Sequence, residues 1–455
     1  MRTIDVLIAE IGSTTTVVNA VDNLYVDPVF LGQGLAPTTV SDGDVTKGLK
    51  NAIKNLESNL GQAVSWNNML ATSSAAGGLK MTVHGLAYDM TVKAAKEAAL
   101  GAGAILHLVT AGKLTHDDIR RIEQISPNII LLAGGVDHGD KNTAIENAYR
   151  LSKIKIQCPL IYAGNVAAAE EVSRILSKGN VMVTVVDNVY PRIDELNVEP
   201  TRRAIQKVFE DHIIRAPGMN RIKQMVTGNI TPTPGAVMNC AKLLKATIGD
   251  LLVIDVGGAT TDVHSVTTGS EKMNKLLISP EPEAKRTVEG DLGIYINASN
   301  LIKAIGTERV ANELSLNPDS FADYISPIPR TSTEMKMAEY LTKKAAEIGI
   351  DRHAGEIKHL YGPGGRATIV MGKDLTNVKW IIGTGGAFVN LKKGRTILSS
   401  LTSTAKPLKL LPRTNPRFLI DKNYIMASVG VLALTNPEGA LRLVAKSLDL
   451  QLDTL

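Results

Sequence analysis

Two stretches of this chain share one pattern of apolar and polar positions. Residues 251–254 form an apolar run that ends at Asp255, and small and hydroxyl-bearing residues follow before an alternating run begins at Asp262. Residues 4–9 form a similar run that ends at Glu10, again before glycine, serine and threonine residues. An apolar run, a turn of small residues and a returning alternating run predict a β-hairpin. The sequence therefore predicts two hairpins, each with an acidic residue at its mouth.

A different pattern follows the first hairpin. Three short apolar runs, at residues 128–133, 158–163 and 181–186, are each followed by a segment with helical periodicity. Strands that alternate with helices and short turns form a parallel sheet with helices on its faces. We therefore predict an open α/β domain and place it at residues 93–216.

The carboxyl ends of these three predicted strands are rich in glycine and amide side chains. They are residues 134–140, 164–165 and 187–188. Ligands of open parallel sheets bind at the carboxyl ends of the strands, so these segments are candidates for a second site. The residues do not indicate its ligand, and we interpret His138 as a turn residue.

The residues of the two predicted hairpins suit the phosphates of a nucleotide. Adjacent glycines let backbone N–H groups approach a ligand, and threonine hydroxyls add donors. The predicted phosphate-binding residues are Gly12, Ser13, Thr14, Thr15, Gly257, Gly258, Thr260 and Thr261. Carboxylates can hold Mg²⁺ through its bound water, so Glu10 and Asp255 are predicted to bind metal. These two residues and Asp262 are the candidates for catalysis, in which one carboxylate orients the attacking water.

A third motif occurs at residues 380–388, where an apolar run enters a turn that contains Gly383, Gly385 and Gly386. In this order the three motifs resemble those of the actin, Hsp70 and sugar-kinase superfamily. The resemblance implies an α/β fold with a duplicated actin-like, ribonuclease H-like ATPase core. It also implies that the third motif contacts the adenosine of ATP.

The resemblance also implies a domain organisation. The first half of the ATPase core is predicted at residues 1–92, and the inserted parallel α/β domain at 93–216. Residues 217–455 are predicted to contain linking helices and the second half of the core, including the adenosine motif.

Composition narrows the classes of function. The chain has 455 residues, of which 44% are hydrophobic and 21% charged, and these fractions are ordinary for a globular protein. Its net charge of +5 comes without a run of lysines and arginines, so no nucleic-acid partner is expected. No apolar stretch has the length of a membrane span. Its two cysteines lie far apart, which is typical of a reducing compartment, and we expect a cytoplasmic protein.

The whole chain resembles the MutL family associated with glutamate mutase, which is unrelated to the mismatch-repair proteins of that name. The segments that carry the resemblance are residues 10–14, 131–137, 161–165, 255–262 and 286–293. The resemblance implies a reactivating chaperone that uses ATP to remove damaged cobalamin from an adenosylcobalamin-dependent mutase or aminomutase. It implies no particular oligomeric state.

One residue departs from the superfamily pattern. Most of these ATPases have an aspartate where this chain has Glu10, and no lysine follows the threonines of the first hairpin. A longer carboxylate changes the reach to Mg²⁺-bound water, so we expect slow hydrolysis of ATP. Two alternatives stay open, a small-molecule kinase on the same fold and a nucleotide-binding scaffold that does not hydrolyse ATP.

A polar segment follows the second hairpin and adds three candidates. Arg286 is a candidate phosphate contact, and Glu289 or Asp291 could position metal or water. All three are also residue types that commonly occupy a solvated loop, so the sequence leaves their role open.

Overall fold

A computed structural model describes residues 1–12, 15–39, 43–74, 79–155, 158–213, 218–362, 365–402, 406–413 and 415–452. The chain divides into a first unit, Met1–Val237, and a second unit, Met238–Leu455. In these described ranges, no helix is both long enough and apolar enough to cross a membrane.

The first unit contains two sheets and the helices that cover them. Its strands are β1 (Arg2–Ile11), β2 (Thr15–Asp22), β3 (Val29–Pro37), β4 (Val64–Ser73), β5 (Leu79–Gly85), β6 (Ala104–Ala111), β7 (Ile129–Leu132), β8 (Leu160–Tyr162), β9 (Val183–Val185) and β10 (Ile230–Pro232). Its helices are α1 (Val45–Leu60), α2 (Lys93–Gly101), α3 (His116–Ile125), α4 (Asn142–Leu151), α5 (Ala169–Lys178), α6 (Val198–Ile213) and α7 (Met219–Met225), with a π-helical turn at Tyr88–Val92 and a 3₁₀ turn at Val166–Ala168. Helix α8 (Thr233–Ile248) continues into the second unit.

The second unit has one larger sheet and a two-stranded ribbon. Its strands are β11 (Leu251–Val256), β12 (Thr261–Val266), β13 (Ala284–Glu289), β14 (Glu356–Gly362), β15 (Gly365–Met371), β16 (Trp380–Thr384) and β17 (Arg417–Ile420). Its helices are α9 (Glu271–Asn274), α10 (Ala298–Ile305), α11 (Thr307–Leu314), α12 (Ser332–His353), α13 (Gly386–Asn390), α14 (Gly394–Ser399), α15 (Met426–Leu432) and α16 (Pro437–Ser447), with 3₁₀ turns at Pro318–Tyr324 and Ser400–Thr402.

The N-terminal sheet and the C-terminal sheet have the same topology. The N-terminal sheet has the order β10-β4-β1-β2-β3, and the C-terminal sheet has the order β13-β12-β11-β16-β17. In each sheet the first three strands along the chain pair antiparallel with one another, the second lying between the first and the third, and the fourth is parallel to the first. The fifth strand is parallel to the fourth. This repeat of one connectivity is the duplicated actin-like core, and the predicted fold class is confirmed.

Helix α1 packs closely on the N-terminal sheet. Asp44 caps the helix by accepting from the N–H of Thr46 over 2.9 Å, as N-cap residues do. Leu49 and Leu56 of α1 lie in one core with the strands. A side chain at Gly34 of β3 would overlap the α1 backbone. A glycine is therefore required where the helix meets the strand.

The inserted sheet of the first unit has the order β6-β5-β7-β8-β9, and all its strands are parallel. The three predicted apolar runs are β7, β8 and β9, and every residue of β7 and β8 is buried, as in a sheet covered on both faces. Strand β6 was not predicted. Strand β5 precedes residue 93, where the insert is predicted to begin, and it pairs with β6 and β7 in this sheet.

A buried histidine lies on β5, an inner strand of the inserted sheet. His84 is fully buried, its Nε2 lies 3.0 Å from the hydroxyl of Thr82, and its Nδ1 lies 2.8 Å from that of Thr110. Burial lowers the pKa of His84 to about 4, although the negative charge of Asp118 opposes this shift. The folded chain therefore keeps His84 neutral, whereas the unfolded chain binds a proton below about pH 6.5.

Because only the unfolded state gains this proton, we expect stability to fall as the pH falls from 7 to 5. The His84 part of this loss is about 2 kcal/mol. The variant His84→Gln should lack that part, and His116→Gln, an exposed position on α3, should behave as the wild type. The free energy of unfolding is measured at both pH values by urea denaturation, followed through hydrogen exchange of the β5 amides. An identical pH dependence in His84→Gln and the wild type would contradict this account.

Candidate functional site

The hairpin of the second unit has its two aspartates side by side. In the β11–β12 ladder Asp255 is directly opposite Asp262, so both lie on one face of the C-terminal sheet. The N–H of Gly257 donates to the carbonyl of Thr260 over 2.9 Å and closes the turn. The predicted hairpin, with a carboxylate on each strand, is present.

A second segment holds the carbonyl groups of this turn. The carbonyls of residues 257–259 all accept hydrogen bonds from residues 294–297, over 2.7 to 3.1 Å. The donors are the backbone N–H groups of Ile294, Tyr295 and Ile296 and the side-chain amide of Asn297. Gly293 lies against the turn so closely that a side chain there would overlap the backbone of Ala259. The turn therefore has one fixed orientation.

This orientation directs the opposite side of each peptide outward. In a trans peptide the carbonyl and the following N–H point in opposite directions. Since the carbonyls of residues 257–259 face the holding segment, the N–H groups of Gly258, Ala259 and Thr260 face away from it. Over the part of the chain that the structure describes, no oxygen accepts from these three N–H groups. Successive backbone N–H groups of a turn are the donors that bind anions in many proteins, so these three are candidates for phosphate contacts.

Asp262 is held by a buried arginine. Nε of Arg286 donates to Oδ1 of Asp262 over 2.8 Å, and Nη2 lies 2.6 Å from the same oxygen. Oδ2 accepts from the hydroxyl of Thr260 over 3.2 Å. The side chain of Arg286 is 2% exposed and that of Asp262 13%, so the pair lies within the unit. Arg286, which the sequence suggests as a phosphate contact, is bonded to a carboxylate here.

Asp255 lies deep in the unit, but its side chain stays partly open to solvent. Burial, together with the negative charges of Asp262 and Asp421, raises the pKa of Asp255 to about 7. The positive charge of Arg286 acts in the opposite direction. A carboxyl group with this pKa exists in both forms near neutral pH, and a cation beside it would favour the carboxylate.

The predicted adenosine motif lies beside this carboxylate. Strand β16 is parallel to β11, and Thr384 is in register with Asp255. The next residue, Gly385, has a φ of 86° and lies so close that a side chain would overlap the Asp255 carboxylate. Gly383 is packed against Ile420 and Phe388 in the core, while Gly386 begins helix α13. The structure thus brings Gly385 to the acidic hairpin.

A buried aspartate fixes the end of β16. Asp421 is fully buried and accepts from the hydroxyl of Thr384 over 3.0 Å. It also accepts from the hydroxyl of Ser447 and from the N–H groups of Ile425 and Met426. These bonds connect β16 with α15 and α16. Asp421 was not predicted from the sequence, since a lone aspartate in an irregular segment gives no signal. Asn297 was not predicted either, although its place before α10 marks it as a helix N-cap residue.

Several predicted residues are occupied by contacts inside the second unit. Thr261 is fully buried, and its hydroxyl donates to the carbonyl of Leu292 over 2.7 Å. Arg352 of α12 donates to both oxygens of Asp291, over 2.8 and 3.0 Å, and to Glu289 over 2.5 Å. Burial raises the pKa of Glu289 while Arg352 opposes this, and the bond from Arg352 lowers the pKa of Asp291. These acidic groups therefore form an ion-pair cluster.

The hairpin of the first unit closes in the same way as the other. The N–H of Gly12 donates to the carbonyl of Thr15 over 3.0 Å. Glu10 is buried near the end of β1, where it is in register with Val17 of β2. Ser13 and Thr14 lie outside the described residues.

The glycine- and amide-rich strand ends of the inserted sheet are bonded to one another. The side-chain amide of Asn165, which is fully buried, donates to the carbonyls of Gly139 and Asp140 over 3.1 and 3.2 Å. The amide of Asn188 donates to the carbonyl of Gly135 and to Asp137, over 3.0 and 2.9 Å. These two amides therefore join neighbouring loops at the strand ends, and the ligand of a second site stays unassigned.

The residues around the hairpin fit Mg²⁺ held together with a nucleotide. Asp255 and Asp262 offer a small number of carboxylate oxygens, and Mg²⁺ completes such a set with water and phosphate oxygens. Within the described ranges, no group of three or more histidine, cysteine, aspartate or glutamate side chains is arranged to hold a metal by itself. The arrangement suits an ion that enters with the phosphates.

A family model and a known protein both match this chain over most of its length. The family model described as MutL protein matches residues 6–448. Protein MutL of Clostridium tetanomorphum is 38% identical over 462 residues, which cover 97% of this chain and 98% of that protein.

Two solved structures are similar to the chain at low identity. The nucleotide-free structure of acetone carboxylase has 13% identity and a TM-score of 0.38, covering 95% of this chain and 70% of that one. A glycerol dehydratase reactivase has 11% identity and a TM-score of 0.33, covering 94% of this chain and 99% of that one.

Two adjacent glycines of the adenosine motif allow a matched test. Gly385→Ala places a methyl group on the Asp255 carboxylate and strains a positive φ, whereas Gly386→Ala meets only the side chain of Asn390, at 3.5 Å. We expect Gly385→Ala to weaken the binding of ATP by about tenfold or more, and Gly386→Ala to bind as the wild type. Titration with a fluorescent ATP analogue measures both affinities. Equal affinities for the two variants would show that Gly385 does not border the nucleotide.

Proposed function

This chain belongs to the MutL protein family, and from that premise we propose that it is an ATP-binding, slowly ATP-hydrolysing reactivating chaperone for an adenosylcobalamin-dependent mutase or aminomutase. The observation that carries the ATP-binding part is the turn at residues 257–260. Its three outward N–H groups belong to the hairpin that carries two carboxylates, and one of these, Asp255, lies against the glycine turn at Gly385. The proposal of a mutase or aminomutase as the partner rests on the resemblance of the sequence to the MutL family associated with glutamate mutase.

In this proposal each group of the second unit has one task. The N–H groups of Gly258, Ala259 and Thr260 donate to phosphate oxygens, and the backbone at Gly385 borders the nucleotide. Asp255 and Asp262 would hold Mg²⁺, which neutralises phosphate charge when it is bound. One of the two carboxylates orients the attacking water. Fixed donors and fixed charges supply most of the rate in phosphoryl transfer.

The same contacts connect the nucleotide to the surface of the unit. The turn that binds phosphate is bonded through its carbonyls to residues 294–297. In that segment Tyr295 is 39% exposed and Ile296 54% exposed. Phosphate on the N–H side and the segment on the carbonyl side would therefore act on the same three peptides. A partner protein in contact with this segment would respond to the state of the nucleotide.

The ATPase part is tested with purified protein, Mg²⁺ and ATP. We expect slow release of phosphate without any small-molecule acceptor. Asp262→Asn should lower the rate by about 100-fold. Asp250→Asn is the control, since Asp250 lies at the opposite end of β11 and pairs with Lys245 and Thr267. ADP formed only with a small acceptor would indicate a kinase, and ATP bound without phosphate release would indicate a scaffold; either result contradicts the proposal.

The chaperone part is tested with a client enzyme. Glutamate mutase carrying damaged, hydroxo-form cobalamin is mixed with the wild-type protein, Mg·ATP and intact adenosylcobalamin. We expect mutase activity to return and phosphate release to become faster than without the mutase. The Asp262→Asn variant should restore nothing. Recovery that needs no ATP, or no recovery with this or another adenosylcobalamin-dependent mutase, would contradict a reactivating role.

A further inference from the structure

Arg286 is a charged residue to which the proposed mechanism gives no task. It lies on β13, at the register position opposite His264 of β12, and is almost completely buried. Two of its nitrogens bind the same oxygen, Oδ1 of Asp262. Two donors of a planar guanidinium on one oxygen hold that oxygen in place and thereby restrain rotation of the carboxylate.

The other oxygen of Asp262 is directed by this contact. With Oδ1 bound by Arg286, Oδ2 lies on the side of the turn, where it accepts the longer bond from the hydroxyl of Thr260. Without the guanidinium, rotation about the Cβ–Cγ bond would exchange the two oxygens. Asp255 is directly opposite on β11, and its negative charge would repel Asp262 once the positive charge between β12 and β13 is lost.

We propose that Arg286 is a positioning residue that acts through Asp262 and makes no phosphate contact itself. It holds Asp262 so that Oδ2 faces the bound Mg²⁺ and the phosphates. This inference rests on the proposed function, in which Asp262 serves ATP hydrolysis. It differs from the sequence-based candidate role for Arg286, because two nitrogens of this buried guanidinium already bind a carboxylate.

A double-mutant cycle separates the two roles. The variants are Arg286→Gln, Asp262→Asn and the double variant, and each is measured for phosphate release and for the Kd of Mg·ATP. We expect Arg286→Gln to lower the rate by about 100-fold and to change the Kd by less than about threefold. In the Asp262→Asn background it should cause no further loss. A direct phosphate contact would instead raise the Kd about tenfold or more and add its effect to that of Asp262→Asn.

Three further variants guard against a general loss of folding. Arg286→Lys keeps a cation beside Asp262 but lacks the fork of donors, so we expect a folded protein as slow as Arg286→Gln. Lys285→Gln is the matched control: Lys285 is the adjacent residue on β13, pairs with Glu281 over 2.9 Å, and points to the other face of the sheet. It should keep the wild-type rate. In Arg286→Ala, added guanidinium ion should restore part of the rate, and methylammonium should not.

Thermal unfolding supplies a measurement that does not depend on activity. Wild type and Arg286→Lys should show the same rise in Tm when Mg·ATP is added. The proposal is overturned if Arg286→Lys keeps the full rate or if Lys285→Gln is as slow as Arg286→Gln. It is also overturned if the double variant loses the rate of phosphate release by the losses of both single variants combined. Wild-type protein that neither binds ATP nor releases phosphate would refute the proposed function itself, and the role of Arg286 with it.

Discussion

The candidate site of the second unit depends on the geometry of the trans peptide. A chain cannot direct a carbonyl and the N–H of the same peptide to one side, so any contact that captures the carbonyls also sets the direction of the donors. Residues 294–297 capture three consecutive carbonyls of the hairpin turn. The donors are therefore oriented before any ligand arrives, and the binding free energy is not spent on ordering them. Gly293 makes this possible because it lets the holding segment approach the turn backbone directly.

The topology of the C-terminal sheet brings the remaining groups to this turn. Antiparallel pairing of β11 and β12 places Asp255 opposite Asp262, and parallel pairing of β11 and β16 places Gly385 against Asp255. Strand β13 adds Arg286. Each of these contacts follows from strand register, so a shift by one residue would turn every one of these side chains to the other face of the sheet. The same connectivity occurs in the N-terminal sheet, which explains why its hairpin closes with an equivalent bond at Gly12.

The sequence predicted what local patterns determine. The hairpins, the inserted parallel sheet and the fold class follow from runs of apolar residues and from motifs that each span a few residues. Contacts between distant segments were not predictable in this way. Examples are the bond from Arg286 to Asp262 and the bond from Thr384 to Asp421. Thr261 is an instructive case, because adjacent residues of a strand face opposite sides, so Thr261 and Asp262 cannot both face one ligand. Strand β6 was missed since its apolar run directly follows the alanine-rich helix α2.

The N-terminal sheet is interrupted along the chain by the inserted sheet. Its last strand, β10, pairs with β4 only after β5 to β9 have all passed. During synthesis the ribosome releases the inserted strands before β10, and their neighbours in sequence are mostly their neighbours in space. Short loops close faster and at lower entropic cost than long ones. The insert can therefore fold while the N-terminal sheet, which carries Glu10, still lacks its edge strand β10. The N-terminal sheet is then completed beside an insert that has already folded.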